Sequence, residues 1–146
     1  DRFKVFHPGG NIGQTLLMAK DIMITGRKIP SVNFNKTIAQ AIKEMNKKKL
    51  GLVVITKNNT IKGIITDGDA RREIKNYSNN DNVAKFMTKN PLSITENTPA
   101  SKALAIMNKK EVTSLLVFAD SKSNKNKLKK LKGILHIHSL LQYGVK

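Results

Sequence analysis

Internal repetition is the feature of this sequence that most restricts its fold. The stretch AIKEMNKK at residues 41–48 recurs as ALAIMNKK at residues 103–110, 62 residues later. The stretch GIITD at residues 63–67 returns as GILHI at residues 133–137, 70 residues later. A repeat of this length is one supersecondary unit whose apolar face must be covered by a neighbour. With 146 residues, the chain has room for two such units but not for two large domains.

Apolar periodicity predicts the same order of elements, β-α-β-β-α, in each repeat. In the first repeat we expect strands at 29–32, 52–56 and 61–66 and helices at 37–48 and 67–74. In the second repeat we expect strands at 92–95, 115–118 and 131–136 and helices at 99–109 and from Ile137 onward. The predicted fold class is therefore α+β, with the two repeats packed face to face about a pseudo-twofold axis.

Two further segments are predicted around these elements. Residues 14–23 have helical character and end at a TGRK stretch, which indicates a short linker helix before the first repeat. The eight extra residues of the second repeat fall around residues 121–127 (SKSNKNK), where we expect a mobile surface loop. The resulting division is 1–20 for the preceding segment, 21–82 for the first repeat and 83–146 for the second.

Composition and charge limit the classes of function. The formal net charge of +17 raises the question of a nucleic-acid partner, because clustered cations bind phosphates. However, only four of the 27 basic residues are arginines and only 5% of residues are aromatic, whereas nucleic-acid readers favour arginine and stacking aromatics. A general bias towards lysine and asparagine explains the charge at least as well. The chain has no cysteine and no apolar run long enough to span a bilayer, so we expect a soluble, cytoplasmic protein without thiolate metal sites.

The end of the third predicted strand carries the residues with the clearest chemistry. Thr66 and Asp69 have the spacing of a capping box, in which the hydroxyl and the carboxylate satisfy amides at the start of a helix. The same geometry offers a hydroxyl donor to a phosphate and a carboxylate acceptor to the two hydroxyls of a ribose. We therefore keep two interpretations of this pair, a structural helix cap and a nucleotide site.

The second repeat differs at the equivalent positions. His136 and Ser139 stand where Thr66 and Asp69 do, and serine cannot act as an anionic bidentate acceptor. We expect this repeat to hold a weaker or altered site. His136 and His138 alternate along the chain, but a metal site would need a third ligand that is not close in sequence, so we predict no metal here.

The repeats and their flanks resemble a known family. Two β-α-β-β-α repeats that each end in a Gly-apolar-apolar stretch resemble a tandem pair of CBS domains, called a Bateman module. The stretches HPGGNIG at 7–13, DIM at 21–23 and IITDGD at 64–69 further resemble the CBS region of arabinose 5-phosphate isomerases of the KpsF/GutQ family. In this comparison, residues 1–20 correspond to the tail of the sugar isomerase (SIS) domain and a linker helix.

The resemblance implies a function. The family interconverts ribulose 5-phosphate and arabinose 5-phosphate on the way to the Kdo sugar of lipopolysaccharide. The phosphosugar site lies in the SIS domain, so this chain by itself is expected to be inactive as an isomerase. It would instead be a regulatory pair that binds an adenosine or cytidine nucleotide, or CMP-Kdo, between the repeats, and it would require no cofactor. The alternative is a ligand-independent oligomerisation module, since CBS pairs commonly form homodimers, with a homotetramer expected for the full enzyme.

The resemblance also assigns candidate site residues. It implies that Asp69 contacts ribose and Thr66 contacts phosphate, and that His7 is an acid/base residue in the parent enzyme only. We hold Arg71, which is closest to the motif, as a candidate phosphate ligand. The complete set of predicted nucleotide-binding residues is Ile29, Ser31, Thr66, Asp67, Gly68, Asp69, Arg71, His136, His138 and Ser139.

Overall fold

The computed structural model describes residues 17–120 and 131–146, and it confirms the predicted α+β class with two three-stranded sheets. The first sheet contains β1 (Ser31–Asn33), β2 (Leu52–Lys57) and β3 (Thr60–Thr66), and the second contains β4 (Ser93–Thr95), β5 (Ser114–Phe118) and β6 (Leu131–His136). The helices are α1 (Ala19–Ile22), α2 (Ile38–Lys48), α3 (Asp67–Glu73), α4 (Ala100–Lys110) and α5 (Ile137–Gln142), with short 3-10 turns at Gly26–Lys28, Ile74–Asn76 and Val83–Lys85.

The strands and helices predicted for the two repeats are confirmed, with ends that differ by one or two residues. Within the described residues, the predicted linker helix is realised as the four-residue α1. The predicted loop at 121–127 and the candidate residue His7 lie outside the described residues. None of the helices in residues 17–120 and 131–146 is both long and apolar enough to cross a membrane.

The two sheets have equivalent topology. In the first, β1 runs parallel to β2, and β2 runs antiparallel to β3. In the second, β4 runs parallel to β5, and β5 is the central strand beside β6. The parallel pairs need a crossover, which α2 and α4 supply. The hairpin between β2 and β3 turns at Asn58 and Asn59, both with positive φ (52° and 64°), a conformation that asparagine tolerates better than most residues.

Local sequence signals explain where α2 begins and ends. The hydroxyl of Thr37 accepts the amide of Gln40 at 3.2 Å, and the Gln40 side chain accepts the amide of Thr37 at 2.9 Å. This reciprocal capping box satisfies two amides that lack partners inside the helix. The helix ends at Lys49, which has a left-handed backbone (φ 61°), and α4 ends in the same way at Glu111 (φ 56°).

The described residues form two compact units, each with its own apolar core. One unit comprises residues 26–91 with Leu131, and the other comprises residues 17–25, 92–120 and 132–146. Met45 and Met107, which occupy equivalent positions in α2 and α4, are buried in the first-repeat and second-repeat cores respectively. The remaining buried members are, in the first core, Ala41, Val53, Ile55, Ile65, Ala70 and Val83, and in the second, Leu17, Ala19, Ile22, Ile94, Ala100, Ala103, Leu104, Leu115, Val117, Leu135, Leu140 and Val145.

The segment just before the first strand of each repeat packs on the sheet of the other repeat. Ile64 of β3 exchanges two backbone hydrogen bonds with Thr88 (3.0 and 2.8 Å), which lies just before the second repeat's first strand. Ile134 of β6 exchanges two with Ile24 (2.9 and 2.8 Å), which lies before the first repeat's first strand. The compact units are therefore not continuous in sequence. They do not test the predicted repeat boundaries at 20/21 and 82/83, which stay predictions.

Candidate ligand site at the end of the first sheet

The junction between β3 and α3 is held by backbone and hydroxyl hydrogen bonds. The amide of Asp67 donates to the carbonyl of Gly51 at 2.8 Å, which ties the first residue of α3 to the turn before β2. The hydroxyl of Thr66 accepts the amide of Asp69 at 3.1 Å. This second contact is one half of the predicted capping box, so Thr66 does act as a helix cap.

The carboxylate of Asp69 does not complete the capping box. Its Oδ1 accepts from the guanidinium of Arg72, and its Oδ2 accepts from the Thr88 hydroxyl at 3.4 Å. The Asp69 side chain is 26% exposed and that of Arg72 is 66% exposed. An ion pair this accessible contributes at most about 1 kcal/mol to stability, because water screens the charges. The carboxylate is therefore accessible from solvent, and its existing partners can exchange at low cost.

The two arginines of α3 make different pairs. Arg71 Nη1 donates to Asp67 Oδ2 at 2.6 Å, and both side chains are largely exposed. Arg72, which the sequence reasoning did not select, pairs with Asp69 and also lies next to Gly68. A Cβ atom built on Gly68 would lie 3.3 Å from Arg72 Nη1 and 4.0 Å from Thr66 Oγ1. The guanidinium and the hydroxyl thus flank one small space that a side chain at residue 68 would fill.

The predicted site residues of the first repeat are brought to one end of its sheet. Ser31 in β1 pairs with Val54 of β2, and Thr66 in β3 pairs with Leu52 of β2. Since strands lie about 4.8 Å apart, Ser31 and Thr66 are on the order of 10 Å from each other across β2. Ser31 is exposed, and Ile29, just before β1, is half-buried.

The equivalent place in the second repeat has a different character. His136 caps α5 through its Nδ1, which accepts the amide of His138 at 3.1 Å, and the two rings lie 4.7 Å apart. Burial, and secondarily the neighbouring His138, lower the pKa of His136 below its ordinary value of 6.5. Ser139 is half-buried and carries no charge. This end of the second sheet therefore has a neutral cap where the first has a carboxylate and a guanidinium.

Histidine and acidic side chains do not gather into a metal-binding cluster in the described part of the chain, where no group of three or more is suitably placed. The histidine pair His136 and His138 is not part of such a group. His136 already uses its Nδ1 as a helix cap.

The geometry described above belongs to a known class of domain. A sequence profile of the CBS domain matches residues 19–76 and 83–146, and the chain belongs to the CBS domain family. The fold agrees with this assignment. The CBS domain pair of protein MJ0100, in complex with 5′-methylthioadenosine and S-adenosyl-L-methionine, superposes with a TM-score of 0.71 at 20% identity, over 87% of this chain and 94% of that one. CBSX2 in complex with AMP gives a TM-score of 0.69 at 20% identity, over 87% and 95%.

Comparison with individual sequences shows which CBS-containing proteins this chain is similar to. The chain is 39% identical to arabinose 5-phosphate isomerase KdsD of Yersinia pestis over 147 aligned residues, covering 98% of this chain and 42% of the relative. The predicted resemblance to the CBS region of these isomerases is thus confirmed. The chain spans about two fifths of the length of the curated relatives it matches.

Proposed function

We propose that this chain is the nucleotide-sensing CBS pair of a sugar-phosphate isomerase that interconverts ribulose 5-phosphate and arabinose 5-phosphate for Kdo and lipopolysaccharide biosynthesis. The single observation that carries the sensing role is the grouping of the Thr66 hydroxyl, the Asp69 carboxylate and the Arg72 guanidinium at the solvent-accessible end of the first sheet. These groups match the hydroxyls and phosphate of a nucleotide. The similarity to KdsD enzymes supports the isomerase as the parent protein.

Catalysis belongs to the parent enzyme in this proposal. The chain corresponds to about two fifths of the isomerases it resembles, and the resemblance assigns the phosphosugar site to the SIS domain. We propose His7 as an acid/base residue of that enzyme, acting in the cytoplasm, where both the sugar phosphate and the nucleotide are made. The 146 residues alone are expected to show no isomerase activity.

The ligand class follows from the groups at the site. A carboxylate accepts hydrogen bonds from the two hydroxyls of a ribose, while a hydroxyl and a guanidinium donate to a phosphate. The Asp67 amide is already used by Gly51, so Asp67 helps to position the junction but does not offer that amide to the ligand. Solved CBS proteins of the same fold hold AMP, 5′-methylthioadenosine and S-adenosyl-L-methionine, which supports an adenosine-type ligand. A cytidine nucleotide, including CMP-Kdo, is the other candidate.

A direct test is calorimetric titration of this chain with AMP, ADP, ATP, CMP and CMP-Kdo, repeated on Asp69→Ala. We expect one of these ligands to bind and Asp69→Ala to weaken it at least about tenfold, since a charged hydrogen-bond acceptor is lost. Glu73→Ala, which removes one exposed negative charge at the other end of α3, is the matched control and is expected to change the affinity less than about twofold.

The competing function is ligand-independent assembly. Leu92 and Leu141 are the exposed large apolar side chains among the described residues (41% and 55%), and burying them would favour self-association. Sedimentation of the same samples separates the two functions. A dimer that forms equally with and without nucleotides, together with no heat from any ligand, would contradict sensing and support assembly.

A further inference from the structure

We propose that Arg72 is the residue that makes this site select phosphorylated nucleotides over nucleosides. The inference rests on the proposed nucleotide site and adds to it a specificity-determining residue and a ligand class. In the structure, the guanidinium of Arg72 pairs with the carboxylate of Asp69. When ribose takes that carboxylate, the guanidinium is released and binds the phosphate of the same ligand.

The position of Arg72 supports this exchange. Its Nη2 donates to Asp69 Oδ1, and its Nη1 lies 3.3 Å from the point where a Cβ atom of residue 68 would be. That same point lies 4.0 Å from the hydroxyl of Thr66. Because residue 68 is glycine, the space between the guanidinium and the hydroxyl holds no side chain. A phosphate bound over Gly68 would meet no side chain at residue 68 and could approach both the guanidinium and the hydroxyl.

The charge balance explains the selectivity. Ribose hydroxyls that bind Asp69 compete with the guanidinium for the carboxylate oxygens, so the ion pair weakens as the ligand enters. A nucleoside gives Arg72 no anion in exchange. A nucleotide offers its phosphate, to which a guanidinium binds with two parallel hydrogen bonds. Thr88, which donates to the other carboxylate oxygen at 3.4 Å, keeps Asp69 in position during the exchange.

Two nearby cations allow the role to be assigned to one residue. Arg71 is the adjacent arginine on α3, but its guanidinium is paired with Asp67. It is the rival candidate, since it carries the same charge at nearly the same place. Lys75 is exposed, just beyond the end of α3, and its removal lowers the net charge by the same amount. A general effect of positive charge would appear in all three alanine variants.

The experiment measures the dissociation constants of AMP and adenosine for the wild-type chain and for Arg72→Ala, Arg71→Ala and Lys75→Ala. CMP and cytidine replace the adenosine pair if the wild type prefers cytidine. We expect Arg72→Ala to reduce the preference for the nucleotide over the nucleoside roughly tenfold, the size of one lost charged hydrogen-bond pair. Nucleotide affinity should fall, while nucleoside affinity should stay equal or rise because Asp69 is freed. Lys75→Ala should keep the wild-type preference within about twofold.

The other possible results overturn either the inference alone or the proposed function as well. If Arg72→Ala weakens nucleotide and nucleoside equally, or if Arg71→Ala carries the loss of preference, the inference is overturned while the nucleotide site stands. If the wild type binds neither member of the pair, the proposed function and the inference both fail. Arg72→Lys is a control for a folding defect, because lysine keeps the positive charge but cannot form two parallel hydrogen bonds with a phosphate. It should retain a reduced preference for the nucleotide, between wild type and Arg72→Ala, and its thermal unfolding checks that the fold is intact.

Discussion

The two repeats share a backbone framework and differ in the chemistry at its end. The amide of Asp67 donates to Gly51 at 2.8 Å, and the amide of the equivalent Ile137 donates to Thr113 at the same distance. At the strand ends, however, the first repeat has Thr66, Asp69 and Arg72, whereas the second has His136, Ser139 and Gln142. Backbone hydrogen bonds do not depend on the side chains that project into solvent. The two repeats therefore share the backbone framework, but only the first has the charged groups, which favours the first repeat as the ligand-binding one.

The strongest test of the shared framework uses the glycine of each repeat. A Cβ atom on Gly63 would lie 2.6 Å from the carbonyl oxygen of Thr88, and one on Gly133 would lie 2.7 Å from that of Ile24. Backbone cannot move aside as cheaply as a flexible side chain. We expect Gly63→Ala and Gly133→Ala each to lower the free energy of unfolding by about 1–3 kcal/mol, measured by urea denaturation.

The neighbouring lysines provide the matched controls for the glycines. Lys62 and Lys132 are exposed on the same two strands, and their replacement by alanine should change stability by less than about 0.5 kcal/mol. If one glycine variant proved as stable as its lysine control, the two sheets would not depend equally on the close approach of the segments at Thr88 and Ile24.

A smaller effect is expected at the two helix caps. Thr66→Ala removes the acceptor of the Asp69 amide, and His136→Ala removes the acceptor of the His138 amide. Each should cost about 1 kcal/mol of unfolding free energy, while Thr66→Ser should cost only a few tenths because the hydroxyl remains. Equal stability of Thr66→Ala and Thr66→Ser would show that the hydroxyl does not stabilise the helix.

The smallest expected effect is a pH dependence of stability that comes from the His136 cap. Since the pKa of His136 is lowered in the folded protein, the unfolded chain binds more protons as the pH falls through 6.5. The free energy of unfolding should therefore decrease on acidification from pH 7.5 towards 5, until the folded protein also binds the proton. His136→Asn keeps a cap that does not titrate, so the variant should lose less stability over this range. Parallel stability curves for wild type and His136→Asn over this pH range would contradict the prediction.

Much of the fold was predictable because it is encoded in local periodicity. The spacing of apolar residues in α2 and α4, and the Asn58-Asn59 turn, each specify an element without reference to distant residues. The partner of Asp69 was less predictable. Asp67 with Arg71 and Asp69 with Arg72 are spaced four and three residues apart, and both spacings bring side chains together on a helix. Proximity to the motif favoured Arg71, whereas in the structure Arg72 pairs with Asp69 and lies next to Gly68.

The sequence by itself determined that this protein consists of two β-α-β-β-α repeats, with a hydroxyl and a carboxylate at the end of only the first sheet. Those properties depend on residue type and short-range spacing. Only the tertiary structure decided that Thr88 pairs with Ile64 and Ile24 with Ile134, so that each repeat's sheet is bordered by the segment just before the other repeat's first strand. Such pairings join residues far apart in the chain. They depend on which backbone groups and apolar surfaces remain uncovered after each repeat has folded, and local periodicity does not record this.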